Sequence, residues 1–389
     1  MRIGAKPVPF VFTPDCCCHR FGALRAASRE LWYPDQISCR VVGMLNLTML
    51  AAFDEIIDVR TPAEFVLDHI PGAHNFPVLD DAQRAEVGTL YKQTSEFIAK
   101  QHGAALIARN IARHLEESFA DRPRQWRPLV YCWRGGMRSG SMQHVLRQIG
   151  WRAERLDGGY KAYRQTVLVD LDSLPERFRF RVICGATGSG KSRLLRALAL
   201  EGAQVLDLEH LARHRGSVLG DLPQIAQPAQ RWFDSQLWQT LSEFDPARPV
   251  FVEAESKKIG QLRLPEALCR AMWQPGRCIR LQTGMDMRVA LLRGEYAHFL
   301  QQPETLFARL DGLVSLYGHA RIEAWKALAR AGDWDALVRV LLDEHYDRYY
   351  ARSMATHYPD FAASCEIVPE EMAESSLRAL ARQLIQSQG

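Results

Sequence analysis

Between residues 129 and 141 the chain reads LVYCWRGGMRSGS, a short apolar run followed by a glycine-bearing turn and a helical pattern. The run predicts a buried strand that ends at Cys132, and the later apolar spacing predicts a helix that stops at Gly150. Amides in a loop before a helix can point at an anion, and the helix dipole adds positive potential there. This setting stabilises a thiolate, which makes Cys132 a candidate nucleophile.

The remaining residues of this loop suit an anion-binding role. They are Arg134, Gly135, Gly136, Arg138 and Ser139. The glycines permit the backbone angles of a wrapped loop, and Arg138 can donate a forked pair of hydrogen bonds to an oxyanion. A buried structural cysteine is the alternative interpretation. The flanking arginines and glycines favour the functional one, because they suit a core position poorly.

A second glycine-rich loop reads VICGATGSGKS between residues 182 and 192. Gly185, Gly190, Lys191 and Ser192 have the spacing of a P-loop, with Gly188 inside it. Glycines let the backbone approach a phosphate, the lysine brings positive charge, and the serine offers a hydroxyl to a metal ion. The strand before it and the helix after it favour a diphosphate site over a structural turn.

Further apolar strands predict an α/β fold, in which a P-loop NTPase-like, doubly wound parallel sheet is followed by a helical C-terminal part. Asp207, Glu253 and Glu255 follow two of these strands, at the edge where such sheets bind ligands. They could hold a metal ion or its waters beside Ser192, act as a base, or be solvated carboxylates. The sequence leaves these interpretations open.

Several arginines are candidates for phosphate contacts. Arg213 and Arg215 lie in a basic turn that could contact phosphate or RNA, or simply be solvated. Arg288 lies on a later helical segment and could belong to a lid over a diphosphate or to a helix surface. No residues have the spacing of a dedicated metal site, because the adjacent cysteines at 16–18 lack the separation that converging thiolates need.

Composition places the chain among ordinary globular proteins. Of its 389 residues 47% are hydrophobic and 24% charged, and a net charge of +4 neither requires nor excludes nucleic acid. No apolar stretch approaches the roughly 18 residues of a membrane span. Nine scattered cysteines predict reduced thiols without disulfides. We therefore expect a cytoplasmic protein that does not bind membranes.

The patterns divide the chain into four parts. They are an unpatterned extension, a strand-and-helix domain, a linker, and the P-loop domain with its helical tail, at residues 1–43, 44–165, 166–178 and 179–389. For the extension we expect either disorder or a start codon assigned too early, because Met44 and Met49 adjoin the first well-patterned segment.

Four segments make residues 44–165 resemble a rhodanese domain. They are DVRTPAEF at 58–65, HIPGAHN at 69–75, the Cys132 loop and GGYKAYR at 158–164. The resemblance implies a cysteine that carries a chalcogen, with Asp58 and Arg60 as structural supports. Common sulfurtransferases of that family have four residues between cysteine and arginine, whereas five separate Cys132 from Arg138. The wider loop resembles that of the related phosphatases and suits a tetrahedral oxyanion.

Both halves together resemble the tRNA 2-selenouridine synthases. The resemblance rests on CWRGGMRS, GATGSGKS, DLEHLARHRGS and EAESKKIG and covers nearly everything after Met44. It implies that the sulfur of wobble 2-thiouridine in tRNA is geranylated from geranyl diphosphate, after which selenium from selenophosphate displaces the S-geranyl group. The P-loop would hold the prenyl diphosphate. Cys132 would act in the selenium step, with selenophosphate in its loop.

The resemblance also implies partners and cofactors. The partners are tRNA with wobble 2-thiouridine and a supplier of selenophosphate, no tightly bound cofactor is expected, and Mg²⁺ is compatible with the diphosphate. Two other classes stay open from the residues alone. One is a Cys-x5-Arg phosphatase or sulfurtransferase fused to an ATP-dependent kinase-like domain, and the other is a non-catalytic binding protein with a degenerate rhodanese fold.

Overall fold

The computed structural model describes residues 47–387, which lie within one compact unit that spans residues 40–389. The predictions for residues 1–43 fall outside the described residues. The predicted α/β class is confirmed, because two parallel sheets alternate with helices along the chain. None of the helices in residues 47–387 combines the length and apolar character of a membrane span.

The first sheet belongs to the predicted rhodanese-like domain. Its strands are β1 (Glu55–Asp58), β2 (Ala73–Asn75), β3 (Pro128–Tyr131) and β4 (Glu154–Arg155). Its helices are α1 (Leu47–Leu50), α2 (Pro62–Leu67), α3 (Asp81–Gln93), α4 (Glu96–Glu117), α5 (Met137–Ile149) and α6 (Gly159–Leu171). The strands are parallel in the spatial order β2-β1-β3-β4, so β3 delivers Cys132 to the carboxyl edge of the sheet.

Capping residues set the helix boundaries beside this edge. The Thr61 side chain accepts from the Glu64 amide and the Glu64 side chain accepts in return, with Pro62 at the first helical position of α2. Gly150 ends α5. The end of α5 at Gly150 was predicted from the sequence and is confirmed.

The second sheet has five parallel strands in the order β11-β10-β5-β7-β6. The strands are β5 (Phe180–Cys184), β6 (Gln204–Leu206), β7 (Val250–Glu253), β10 (Cys278–Leu281) and β11 (Cys365–Ile367), with a small hairpin of β8 (Lys258–Ile259) and β9 (Leu262–Arg263). The chain leaves the central β5 toward one side and later returns to the other. The P-loop after β5 therefore lies at the point where strand order reverses, as in doubly wound sheets.

Helices cover both faces of this sheet, and more helices follow it. They are α7 (Lys191–Leu200), α8 (Leu208–Ala212), α9 (Gln230–Glu243), α10 (Glu266–Met272), α11 (Met285–Glu295), α12 (Ala297–Gln301), α13 (Pro303–Asp311), α14 (Val314–Tyr317), α15 (His319–Arg330), α16 (Trp334–Leu341), α17 (Asp347–His357) and α18 (Glu374–Gln386). The π-helical turn Leu342–Tyr346 joins α16 to α17, and 3₁₀ turns span Leu174–Arg177 and Phe361–Ala363. The predicted helical C-terminal part is confirmed.

The two domains share a hydrophobic core between α6 and α9. The rings of Tyr163 and Trp238 meet edge to face at 5.7 Å. The buried Asp68 carboxylate accepts a hydrogen bond from the Ser235 hydroxyl at 2.8 Å. Helix α6 extends to Leu171, so the first part of the predicted linker is helical and packed between the domains.

One expectation about cysteines was wrong. Cys184 on β5 and Cys278 on the neighbouring β10 form a disulfide, with Cα atoms 6.0 Å apart. They are separated by 94 residues in sequence, and only the pairing of the two strands brings them together. Cys132, Cys269 and Cys365 are free thiols, as expected.

Candidate active sites

Cys132 lies directly after β3, and its side chain is buried. The Ser139 hydroxyl donates a hydrogen bond to the Cys132 sulfur at 3.2 Å. The first turn of α6 holds the loop in place, because the Tyr160 amide donates to the Cys132 carbonyl at 2.8 Å and the Lys161 amide donates to the next carbonyl at 2.9 Å. The sulfur therefore has an oriented hydroxyl donor beside it.

The two arginines of this loop have different surroundings. Arg138 is half-buried and donates to Oε2 of Glu64 at 2.8 Å. Burial would raise the pKa of Glu64, but the hydrogen bond and charge of Arg138 outweigh it and lower that pKa. Arg134 is exposed. An oxyanion in the loop must compete with Glu64 for Arg138, a pairing that the sequence did not predict.

A buried ion pair between Arg60 and Asp58 supports the Cys132 loop. The Arg60 guanidinium donates to both Asp58 oxygens at 2.6 to 3.0 Å and to the Asp68 carbonyl at 2.6 Å. It also lies 3.9 Å from the ring centre of Tyr160. Burial alone would lower the pKa of Arg60, but Asp58 outweighs it and raises the pKa. Asp58 and Arg60 thus have the structural role that the rhodanese resemblance implies.

The P-loop connects β5 to α7, as predicted. The Lys191 ammonium donates to the Gly185 carbonyl at 2.9 Å, so the lysine folds back over the loop. Gly188 has φ of +77°, and a Cβ atom there would lie 2.7 Å from Cγ of Leu292. Both the backbone angle and the available space therefore require glycine at this position.

Three carboxyl groups lie beside the P-loop. The Ser192 hydroxyl is within hydrogen-bond distance of Glu209 at 3.0 Å and of Glu253 at 3.3 Å. Burial raises the pKa of Glu253 well above its usual value, and the charges of Glu209 and Glu255 add to the effect. Burial and Glu209 raise the pKa of Glu255 to about 8, and burial also raises the pKa of Glu209. Burial and mutual repulsion therefore oppose ionisation of the cluster, and the charge of Lys191 offsets this only in part.

These groups fit a magnesium ion that accompanies a diphosphate. One oxygen from each of Glu209, Glu253 and Glu255 lies within 4.8 Å of the others, and the Ser192 hydroxyl adjoins two of them. Mg²⁺ prefers such oxygen ligands and is bound by few carboxylates together with substrate phosphates. A cation here would lower the three pKa values, which burial raises and neighbouring carboxylates raise further.

A cavity of about 960 Å³ opens in front of the P-loop. One side carries the phosphate-binding residues Gly185, Thr187, Gly188, Gly190, Lys191 and Ser192. The rest of the lining is mixed, with the apolar or aromatic Leu292, Tyr296, Leu313, Leu316, Tyr346, Tyr349 and Tyr350 among polar and charged residues. The cavity therefore suits a ligand with a charged phosphate end and a hydrocarbon or aromatic body.

Comparison with known families matches both halves of the chain. The Rhodanese-like domain matches residues 45–166, and the tRNA 2-selenouridine synthase AAA domain matches residues 178–315. A tRNA 2-selenouridine synthase of Hydrogenovibrio crunogenus is 30% identical over 353 residues, which are 82% of this chain and 95% of that protein. The chain belongs to the tRNA 2-selenouridine synthase family.

Other family relatives match a shorter part. The synthase of Nitrosomonas europaea is 38% identical over 231 residues, which are 58% of this chain. The chain spans 60% of the length of that relative and 65% of the Nitrosomonas eutropha one. A solved rhodanese-related protein from Thermoplasma volcanium matches 30% of this chain and 82% of its own chain, at 19% identity and a TM-score of 0.20. The strand order described above, and not this likeness, establishes the fold.

In this family member, most of the predicted P-loop residues meet in the large cavity. Lys191, Ser192 and Glu255 line it, and Glu253 lies buried beside Ser192. Arg215 also lines it, with its guanidinium 4.8 Å from the ring centre of Tyr296. Arg213 is instead exposed at the end of α8.

Asp207 lies at the carboxyl end of β6 and Arg288 on α11, as the sequence indicated, but both side chains make contacts within the fold. Asp207 caps α8 by accepting from the His210 amide at 2.8 Å, and it does not line the cavity. Arg288 is buried, donates to the Thr187 carbonyl at 2.9 Å and makes a forked pair with Asp347 at 2.6 and 3.0 Å. These bonds make Arg288 a fixed brace behind the P-loop instead of a lid.

Glu209, Tyr296 and Tyr346 line the cavity but were not predicted from the sequence. The sequence did contain a signal for Glu209. Asp207 precedes a helical pattern and is a typical N-cap, which places Glu209 in the first turn of the helix, beside the strand end. The tyrosines carried no comparable signal. They come from the end of α11 and from the π-helical turn, whose position against the P-loop depends on tertiary packing.

Proposed function

We propose that this chain converts wobble 2-thiouridine in tRNA to 2-selenouridine through an S-geranyl intermediate. The observation that supports this most is the cavity of about 960 Å³, which is lined by the P-loop together with apolar and tyrosine side chains. A P-loop binds only the diphosphate and leaves the rest of the ligand unspecified. The apolar and tyrosine side chains of the lining suit a prenyl body.

In the first step the thiouridine sulfur attacks C1 of geranyl diphosphate. A carbon–sulfur bond forms, the carbon–oxygen bond to diphosphate breaks, diphosphate leaves with the electron pair, and the base loses its N3 proton to solvent. Lys191, the P-loop amides and Arg215 stabilise the charge that develops on the leaving group. Glu209, Glu253 and Ser192 would hold a magnesium ion, which would neutralise diphosphate charge.

In the second step the selenium of selenophosphate attacks C2 of the S-geranyl base. A carbon–selenium bond forms, geranyl thiol departs, and water cleaves the phosphorus–selenium bond to give phosphate and 2-selenouridine. We assign this step to the Cys132 loop, whose Cys-x5-Arg spacing suits a tetrahedral oxyanion. Arg138 would exchange Glu64 for the selenophosphate oxygens, and Ser139 orients the thiol.

The proposal also names partners. The substrate is tRNA with 2-thiouridine at the wobble position, and an enzyme that makes selenophosphate must supply the selenium donor. Both would be met in the cytoplasm. We expect the protein isolated from cells to carry tRNA, visible as excess absorbance at 260 nm.

Nucleoside mass spectrometry tests the proposed function. The full chain is incubated with thiolated tRNA and geranyl diphosphate, and selenophosphate is added to half of the sample. We expect S-geranyl-2-thiouridine in the first half and 2-selenouridine in the second. ATP hydrolysis with neither product would contradict the proposal and favour the kinase-like alternative.

A further inference from the structure

Arginines gather at the amino edge of the second sheet, at the opposite ends of the strands from the P-loop. Arg179 and Arg181 lie two residues apart at the start of β5, so their side chains leave the strand on the same face. The Val182 amide donates to the Arg277 carbonyl at 2.8 Å, which places Arg277 beside Arg181 at the start of β10. Adjacent strands lie about 4.8 Å apart, so these three amino-edge arginines belong to one surface.

The amino-edge arginines carry charge that the fold does not neutralise. None of the three forms an ion pair within residues 47–387, and their hydrogen bonds go to carbonyl and amide oxygens at 3.0 to 3.4 Å. The carboxylates of Asp245 and Asp360 lie near this edge and accept from backbone amides at 2.9 and 2.7 Å. Burial lowers the pKa of Arg181, and the charges of the other two arginines lower it further. The three guanidinium groups therefore repel one another.

More arginines adjoin this edge at the end of α7. Arg248 donates to the Gly202 carbonyl at 2.6 Å. Arg378 and Arg382 of α18 both pair with Glu201, at 2.6 and 3.0 Å. One carboxylate here serves two arginines and the third has a neutral partner, so the excess of positive charge extends beyond the amino-edge arginines.

Helix α7 connects this basic edge to the large cavity. It has ten residues and is about 15 Å long. Residues along it, from Ser192 to Leu200, line the cavity, and Arg193 and Arg196 are among them. Arg193 pairs with Glu295 at 3.5 Å, whereas Arg196 donates to the Ser192 carbonyl and has no ion pair in the part of the chain that the structure describes. Positive charge thus follows α7 from the cavity to the amino edge.

The helices α11 to α16, some of which also line the cavity, are different. Every arginine on them is paired with an aspartate or a glutamate: Arg288, Arg293, Arg309, Arg321, Arg330 and Arg339. The carboxylates of these pairs would repel a polyanion, and the paired arginines have less to offer it. A polyanion that reaches the cavity therefore finds its complementary charge on the α7 side.

We propose that Arg196 and the amino-edge arginines bind phosphates of the tRNA anticodon stem while the wobble base lies in the large cavity. This rests on the proposed function, which brings the wobble sulfur to a prenyl diphosphate on the P-loop. The anticodon loop then lies at the cavity, and a stem that follows α7 reaches the amino edge after about 15 Å. Guanidinium groups suit phosphate oxygens, and such contacts orient an RNA without reading its sequence.

A triple variant and a matched control test this proposal. The amino-edge variant removes three positive charges, by Arg179→Gln, Arg181→Gln and Arg277→Gln. The control removes the same charge from α15 and α16, by Arg321→Gln, Arg330→Gln and Arg339→Gln. Dissociation constants are measured by fluorescence anisotropy over a range of salt concentrations, for thiolated tRNA and for a short single-stranded oligonucleotide with the anticodon-loop sequence.

The expected size follows from counterion release. Each phosphate contact contributes about 0.7 to 0.9 to the slope of log K against log salt, so three lost contacts lower that slope by about 2 to 3. We expect the amino-edge variant to bind tRNA at least about 30-fold more weakly at about 0.15 M salt and the control to stay within about threefold. The oligonucleotide has no stem, so both variants should bind it as the unsubstituted chain does.

Two results would overturn the inference. One is an equal affinity of the two variants for tRNA, and the other is equal weakening of tRNA and oligonucleotide in the amino-edge variant. Geranylation of thiolated tRNA by the unsubstituted chain is measured alongside. If the unsubstituted chain geranylates tRNA, either result overturns this inference alone. Absence of any geranylated product overturns the proposed function as well.

A chemical protection measurement on the unsubstituted chain covers the case in which the triple variant does not fold. Phenylglyoxal modifies accessible guanidinium groups, and mass spectrometry reads the modification of each arginine with and without thiolated tRNA. We expect tRNA to slow modification of Arg179 and Arg277 at least about fivefold and that of Arg321 and Arg330 by less than about twofold. Equal protection of the two pairs, or protection of neither, would refute the proposed contact.

Discussion

Replacing Gly159 by alanine tests whether α6 shapes the Cys132 loop. Gly159 has φ of +57°, and a Cβ atom there would lie 2.2 Å from the Cys132 carbonyl oxygen and 2.6 Å from the Gly135 amide. Both are backbone atoms, so no side chain can rotate away. The loop that carries Cys132 must move if α6 is to keep its place.

The size of the effect follows from these distances. Ordinary contact begins near 3.4 Å, so the Cys132 carbonyl must retreat by about 1.2 Å from its 2.2 Å position. Displacement of a reacting group by about 1 Å can cost about 100-fold in rate. The left-handed backbone angle adds about 1 to 2 kcal/mol of destabilisation for a residue with a side chain.

Gly72→Ala separates the two effects. Gly72 also has a positive φ, +79°, but no atom lies within 4 Å of a Cβ there, so this variant carries the backbone cost alone. Both variants are assayed for geranylation of thiolated tRNA and for selenation of tRNA that is already geranylated. We expect Gly159→Ala to lose about 100-fold in selenation only. Selenation within about threefold of the Gly72→Ala rate would refute the reasoning.

Two further predictions concern buried carboxyl groups. Glu253→Gln should raise the thermal midpoint of unfolding at pH 8 but not at pH 5. Burial and neighbouring carboxylates raise the pKa of Glu253, so the folded state opposes its ionisation at pH 8, and glutamine removes that cost. The variant should also weaken binding of magnesium diphosphate, measured by calorimetry. Burial raises the pKa of Asp68 to about 6, against hydrogen bonds from Tyr160 and Ser235. Because this lies above the unfolded value, the contribution of Asp68 is full below pH 4 and is lost as pH rises through 6. The free energy of unfolding of the unsubstituted chain, measured with urea, should therefore fall by about 2 kcal/mol relative to that of Asp68→Asn between pH 4 and 6.5, and a constant difference would contradict this.

The two anion loops could be predicted because each is a local feature. A strand, a glycine-bearing turn and a helix start lie within a dozen residues, and the structure places Cys132 and Lys191 in those settings. Local patterns also gave the end of α5 at Gly150. Backbone sterics and helix capping act over a few residues, so the sequence shows them directly.

Features that depend on distant residues could not be predicted. The Arg288–Asp347 pair joins positions 59 residues apart. It fixes Arg288 behind the P-loop, whereas the sequence allowed a lid or a helix-surface position. The apolar walls of the cavity come from short helices whose packing against the P-loop has no local signature. The disulfide joins strands that are adjacent only because of the sheet order.

We propose that two sites on this chain perform two successive reactions on one base. Lys191→Ala and Cys132→Ala are each assayed for geranylation of thiolated tRNA and for selenation of tRNA that is already geranylated, with the products read by nucleoside mass spectrometry. We expect Lys191→Ala to lose geranylation and to keep selenation. We expect Cys132→Ala to lose selenation and to keep geranylation. Equal loss of both reactions in either variant would contradict it.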